Sequence, residues 1–193
     1  HDSHTLYSDT YLNAAKIYIL MSLRILVVGT GSIGSRHIKN LTELPDIEIV
    51  AHDIDPESVD QIGAEYGVET TTDLDATLTP DIDCVFVCTP PVSHLEIAHG
   101  ALDVGADVFI EKPLSHDLDG TDEFVERARN SDQTVFVACN MRLHPPVVQI
   151  QECLEAGEIG PLQFFRLRYG NELRNGRSTD YRDSYRANAA EGG

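Results

Sequence analysis

The chain is 193 residues long, 41% of them apolar and 7% aromatic, and its 14 Lys plus Arg face 32 Asp plus Glu for a net charge of −18. That length and apolar share exclude a disulfide miniprotein and wholesale disorder, and they describe one full domain with part of another. No apolar run reaches the roughly 20 residues of a membrane-crossing helix, and so negative a field repels phosphate backbones and anionic lipid, so neither nucleic acid nor membrane is an expected partner.

The lysines are Lys16, Lys39 and Lys112, Arg outnumbers Lys, and Asp outnumbers Glu. This is the composition expected of a halophilic protein, because at molar salt the Debye length falls to about 3 Å and surface self-repulsion is screened. Residues 1–20 start with His and lack the basic start and small-residue cleavage site of a secretory signal, so they read as an extension ahead of Met21, and the expected compartment is the cytoplasm. Cys84, Cys88, Cys139 and Cys153 show no paired Cys-x-x-Cys or Cys/His finger spacing, so no metal site is expected and the cysteines are read as reduced.

From Leu23 onward short apolar runs alternate with amphipathic stretches: LRILVVG, SRHIKNL, IEIVAHD, PESVDQIGAEY, DCVFVC, HLEIAHGALDVG, DVFIE, GTDEFVERARN and TVFVAC. Runs of nearly continuous Val, Ile and Leu predict strands covered by helices on both faces, and the alternation predicts an α/β, doubly wound parallel sheet with right-handed crossovers over residues 21–140. Residues 141–193 read as the beginning of a second, α+β domain: a loop, a helix opened by Pro145 and Pro146 and closed near Gly157, and a strand from Gln163 to Tyr169.

The first strand leads into Gly29-Thr30-Gly31-Ser32-Ile33-Gly34, a G-x-G-x-x-G pattern placed directly before a helix. Gly29 allows the tight turn, Gly31 lets backbone approach a pyrophosphate, and Gly34 lets helix pack close to strand. Ser32 and Ile33 open the helix whose unpaired N–H groups and positive dipole end would face the phosphates. Asp53 ends the next long strand, nineteen residues after Gly34, where a carboxylate accepts from both ribose hydroxyls of an adenosine. No Arg or Lys follows it in HDIDPES, so a 2′-phosphate would meet like charge, and NAD is expected over NADP. Asp55 ahead of Pro56 reads as a helix cap.

Farther along, Thr89 and Pro90 follow the strand DCVFVC, where a turn can run its backbone along the ribose and nicotinamide. His94 either reaches into the same crevice or finishes the helix start. Glu111 and Lys112 follow DVFI immediately. Lys112 in a crevice could hydrogen-bond a substrate hydroxyl, stabilise its alkoxide or exchange its proton, whereas taken alone the two residues read better as a surface ion pair.

The segments VVGTGSIGSRHIKNL, CTPPVSHLEIAHGALDVGADVFIEKPLS and CNMRLHPPVVQIQECLEAGEIGPLQFFRLRYG together resemble, in order and spacing, the glucose-fructose oxidoreductase, inositol dehydrogenase and rhizopine-catabolism (Gfo/Idh/MocA) oxidoreductases. The Glu-Lys-Pro at 111–113 is the most specific part of the match, and Asn140 to Pro145 matches the family's crossing between domains. The resemblance implies an NAD-dependent oxidoreductase acting on a secondary alcohol or ketone of a sugar, cyclitol or nucleotide-linked sugar. It makes Lys112 the catalytic lysine and places Gly29, Gly31, Ser32, Ile33, Gly34, Asp53, Thr89, Pro90, His94, Glu111 and Lys112 around NAD. It also implies homo-oligomers formed through the second domain. The family's Asp-x-x-x-His motif is expected beyond Glu191-Gly192-Gly193, so residues 1–193 are expected to bind NAD without turnover. An NAD-sensing module without chemistry would use the same glycines and Asp53.

Overall fold

The computed structural model describes residues 22–168 and residue 170. Six parallel strands form one sheet: β1 (Leu23–Val28), β2 (Ile47–His52), β3 (Glu69–Thr71), β4 (Cys84–Val87), β5 (Asp107–Ile110) and β6 (Val135–Val137), in the spatial order β3-β2-β1-β4-β5-β6. The order reverses direction between β1 and β4, which opens a crevice at the strand C-termini, the place where doubly wound sheets bind ligands. The expected fold class is borne out. Helices α1 (Ser32–Thr42) and α2 (Pro56–Tyr66) connect the strands of one half, and α4 (His94–Asp103) and α5 (Thr121–Arg129) those of the other. The structure adds two elements absent from the apolar runs, the polar strand β3 and a single helical turn, α3 (Leu74–Thr77).

Side chains alternate between two cores along each strand. Leu26, Val28, Val50, Val85, Val87, Val108 and Ile110 meet α4 and the fully buried Phe124 of α5. Ile25, Val27, Ile49, Ala51, Cys84 and Cys88 meet Ile38 and Leu41 of α1 and Ile62 of α2. Cys84 and Cys88 therefore share one face as small core residues, and burial pushes each thiol up to about 12. Neither is a thiolate near neutral pH, which fits packing rather than chemistry.

Burial on both faces holds at the centre of the sheet and weakens toward β6. On the side of α1 and α2, strands β4 to β6 carry a ladder of stacked rings, Phe86 on Phe109 at 4.5 Å and Phe109 on Phe136 at 5.5 Å. Phe136 is 43% exposed because the two helices of that face lie over β1 to β3.

Helix α2 starts as expected, with the Asp55 side chain accepting from the Glu57 N–H at 3.1 Å and Pro56 in the first turn. Beyond β6 a turn of 3₁₀ helix (Asn140–Leu143) leads into α6 (Pro145–Glu155), and Gly157 follows at φ 71°. The strand expected from Gln163 to Tyr169 is not formed in its described part. Residues 162–168 run without regular structure, because a strand needs a neighbour for its ladder and none of the described residues supplies one. The extension at 1–20, Tyr169 and the tail from Asn171 lie outside the described residues.

Candidate functional site

The crevice at the strand C-termini is a cleft of about 1400 Å³, lined by residues from every connection on that side of the sheet. Gly29, Gly31, Ser32, Ile33, Asp53, Thr89, Pro90, His94, Glu111 and Lys112 all line it, so the topology gathers ten of the eleven candidate residues in one space. Gly34, the eleventh, is buried behind the loop.

The three glycines have separable roles. Gly29 sits at φ +93° with its backbone pressed on the end of β4, so a Cβ there would lie 2.8 Å from the Cys88 carbonyl carbon. At Gly34 a Cβ would lie 1.8 Å from the Gly29 oxygen, so only glycine lets α1 start this close to the turn. A Cβ on Gly31 would meet nothing within 4 Å. Its bare backbone faces open cleft at the start of α1, where unpaired N–H groups favour an anion, so the loop fits a dinucleotide pyrophosphate.

Asp53 is held in place by the loop it was expected to serve. One carboxylate oxygen accepts from the Thr30 N–H at 2.7 Å and the Thr30 hydroxyl at 2.9 Å, and the other accepts from the Asp55 N–H at 3.1 Å. A carboxylate has about four acceptor positions, so capacity remains for a hydroxyl from the cleft. Thr30, 6% exposed, is the link that sequence reading missed; the only signal was a hydroxyl residue at the first variable position of the glycine pattern.

His94 opens α4 and is 1% exposed. Its Nδ1 lies 2.8 Å from the Pro113 oxygen and its Nε2 2.9 Å from the Thr89 oxygen, so both ring nitrogens point at backbone rather than into free space. This contact with the carbonyls of two neighbouring turns is neither of the roles expected of it. The Lys112–Pro113 peptide is cis. Glu111 turns away from Lys112 and contacts His37 of α1, Oε1 to Nε2 at 2.9 Å, so the two neighbours are not a surface ion pair. Lys112 is exposed to the cleft, with no hydrogen bond or ion pair recorded among the described residues.

The cleft also includes residues that no local pattern announced. Ile54, 88% exposed beside Asp53, offers an apolar surface next to that carboxylate, and Arg36 of α1 and Arg142 of the 3₁₀ turn add cations to the lining. His52 ends β2, is 5% exposed, and keeps its Nδ1 buried without a partner among the described residues. Burial lowers the pKa of this ring below its ordinary 6.5, only partly offset by the Asp53 charge. The neutral ring is thus favoured by folding, a contribution complete above about pH 6.5 and lost as pH falls through the lower folded value. The melting temperature of the protein is expected to drop between pH 7.5 and 5.5 by more than that of His52→Gln, and parallel curves would show that the ring does not titrate with unfolding.

Residues 23–139 match the oxidoreductase family GFO_IDH_MocA, described as having an NAD-binding Rossmann fold. The chain belongs to this family. Among curated relatives, the uncharacterized oxidoreductase YrbE of Bacillus subtilis is 32% identical over 137 residues, covering 69% of this chain and 40% of the relative. The myo-inositol 2-dehydrogenase of Thermotoga maritima is 30% identical over 148 residues, covering 75% and 44%. Myo-inositol dehydrogenase from Lactobacillus casei, solved with NAD(H) and myo-inositol, superposes with a TM-score of 0.68 at 30% identity, covering 72% of this chain and 43% of that one. A 3-ketoreductase from Actinomadura kijaniata, solved with NADP, superposes at 0.62 with 26% identity, over 70% and 42%. This Gfo/Idh/MocA chain thus spans less than half the length of these relatives, and the matched part is the one that holds the cleft.

Proposed function

We propose that the chain is the cofactor-binding part of an NAD-dependent oxidoreductase that acts on a secondary alcohol or the matching ketone of a sugar, cyclitol or nucleotide-linked sugar. The carrying observation is the convergence of Gly31, Asp53, Thr89, Pro90 and Lys112 on one cleft. The dehydrogenases of inositol among the relatives support the substrate class. Gly29, Gly31 and the start of α1 with Ser32 and Ile33 would hold the pyrophosphate, Asp53 the adenosine ribose, and the Thr89-Pro90 turn the nicotinamide half. Bound there, the nicotinamide supplies a hydride acceptor or donor. The Lys112 ammonium would donate a hydrogen bond to the reacting oxygen and steady the negative charge that develops on it, a stabilisation made only as the reaction proceeds.

The preference for NAD over NADP rests on Asp53, whose charge is fixed in position by Thr30 and faced by no cation from its own loop. Calorimetric titration of both cofactors is expected to show tighter binding of NAD. Asp53→Asn keeps an oxygen for the Thr30 N–H but removes the charge, and should shrink the NAD preference by about 10-fold, which corresponds to about 1.4 kcal/mol. Equal or tighter binding of NADP by the unaltered chain would overturn the assignment of Asp53 to the ribose.

A further inference from the structure

Among the described residues no group bonds the Lys112 side chain, whereas its backbone is held on both sides. On its N-terminal side, Glu111 is held by His37, whose ring stands edge-on to Phe86 at 5.5 Å and Phe109 at 5.2 Å and so is fixed in orientation. On its C-terminal side, the Pro113 carbonyl meets Nδ1 of His94, and Nε2 of the same ring meets the Thr89 carbonyl. A carbonyl oxygen only accepts and a neutral imidazole carries a single N–H, so the neutral ring donates to one of the two carbonyls and packs against the other. An apolar residue would fill the site of His94 equally well. It would remove the N–H that lies between these carbonyls and leave an acceptor at the cleft without its donor.

The two ties run to different parts of the site. His37 belongs to α1, the helix that begins at the glycine turn, and His94 belongs to α4 and reaches the turn after β4. One therefore references Lys112 to the pyrophosphate end and the other to the nicotinamide end. We infer that His37 and His94 are positioning residues that hold the Lys112 backbone in register with the bound cofactor, His94 by seating its ring between the Pro113 and Thr89 carbonyls across the ends of β5 and β4. This rests on the proposed cofactor reading and extends it to residues that need not touch cofactor or substrate. The arrangement matters because a misplacement of 1 Å at a reacting centre can cost about 10²-fold in rate, and a lysine side chain can correct its own rotamer but not a shifted backbone.

The test uses the full chain, NAD and ADP as probes, and acylation of lysine amines read by mass spectrometry. On this reading ADP would occupy the glycine loop and the Asp53 end without reaching Thr89 or Lys112. The three lysines, Lys16, Lys39 and Lys112, are separable by peptide mapping. In the unaltered chain NAD should protect Lys112 from acylation and ADP should not. His94→Leu fills the space of the ring and donates to neither carbonyl. It should weaken NAD about 10-fold, leave ADP within about twofold, and lose the protection of Lys112. Glu111→Gln, which keeps the fold of the turn but weakens the His37 tie, should shift Lys112 protection in the same direction with ADP binding unchanged, and it decides the matter if His94→Leu does not fold. Equal losses for NAD and ADP, or variants that match the unaltered chain in NAD affinity and protection, overturn the positioning role. Failure of the unaltered chain to bind NAD at all defeats the cofactor reading itself and is told apart by that first measurement.

Discussion

Gly34→Ala should not yield a stable protein. The added Cβ would stand 1.8 Å from the Gly29 oxygen and 2.9 Å from the Gly29 carbonyl carbon, and both are backbone atoms of a turn already pressed against Cys88 and Thr89. No rotamer relieves a clash between a Cβ and backbone, so α1 must lift away from β1 and take Ile38 and Leu41 out of their core with it. The expected loss is more than about 4 kcal/mol, the range of exceptional single substitutions, and denaturant unfolding would measure it. Gly31→Ala is the counterpart. Its Cβ meets nothing within 4 Å, so stability should change by less than about 1 kcal/mol, while NAD affinity falls about 10-fold or more because the methyl group occupies the approach to the phosphates. Similar melting curves for the two variants would mean that the turn is plastic.

Lys112→Met should separate binding from chemistry. Methionine keeps part of the stem's apolar length and removes the ammonium, and Lys112 has no recorded hydrogen bond among the described residues for the substitution to break. Stability and NAD affinity are expected to stay near the unaltered values. In a form of the protein that carries the remainder of the substrate domain, turnover should drop by about 10²-fold or more, with kcat and kcat/KM falling together, as for a contact made only at the reacting oxygen. Undiminished turnover would make Lys112 an ordinary exposed charge.

The centre of the sheet was legible because β1 and β4 are almost uninterrupted apolar residues and β2 carries Ile49, Val50 and Ala51 in a row, a pattern that fits double-sided burial. Strand β3 was not, because Glu69-Thr70-Thr71 pairs along one edge, where the ladder with β2 rather than burial holds it. The reading of Gln163 to Tyr169 as a strand failed for the converse reason, since an apolar run supplies a face but not a partner. At the site, the glycine turn, Asp53 and Lys112 could be read because each follows a recognisable strand directly. Ile54, His52 and Arg36 could not, since they reach the cleft only through the order of the strands. The pairing of His37 with Glu111 spans 74 positions, and nothing local in either helix or strand foretells it. His94 shows the limit of a residue pattern in another way. Its place at a helix start was evident, but whether its ring faced ligand or carbonyl depended on a proline nineteen residues away.

The sheet is widest in the middle, with β1 and β2 of six residues each, and both outer strands, β3 and β6, have only three. A visiting strand would find three residues to pair with at either border, about half of an ordinary strand. The sheet thus tapers to its own end, and extension by a second chain, the route by which flat borders seed fibrils, is cut short on both sides. Among the described residues, the apolar surface left open on this half is the end of the ring ladder at Phe136, on the face of the sheet rather than along its border.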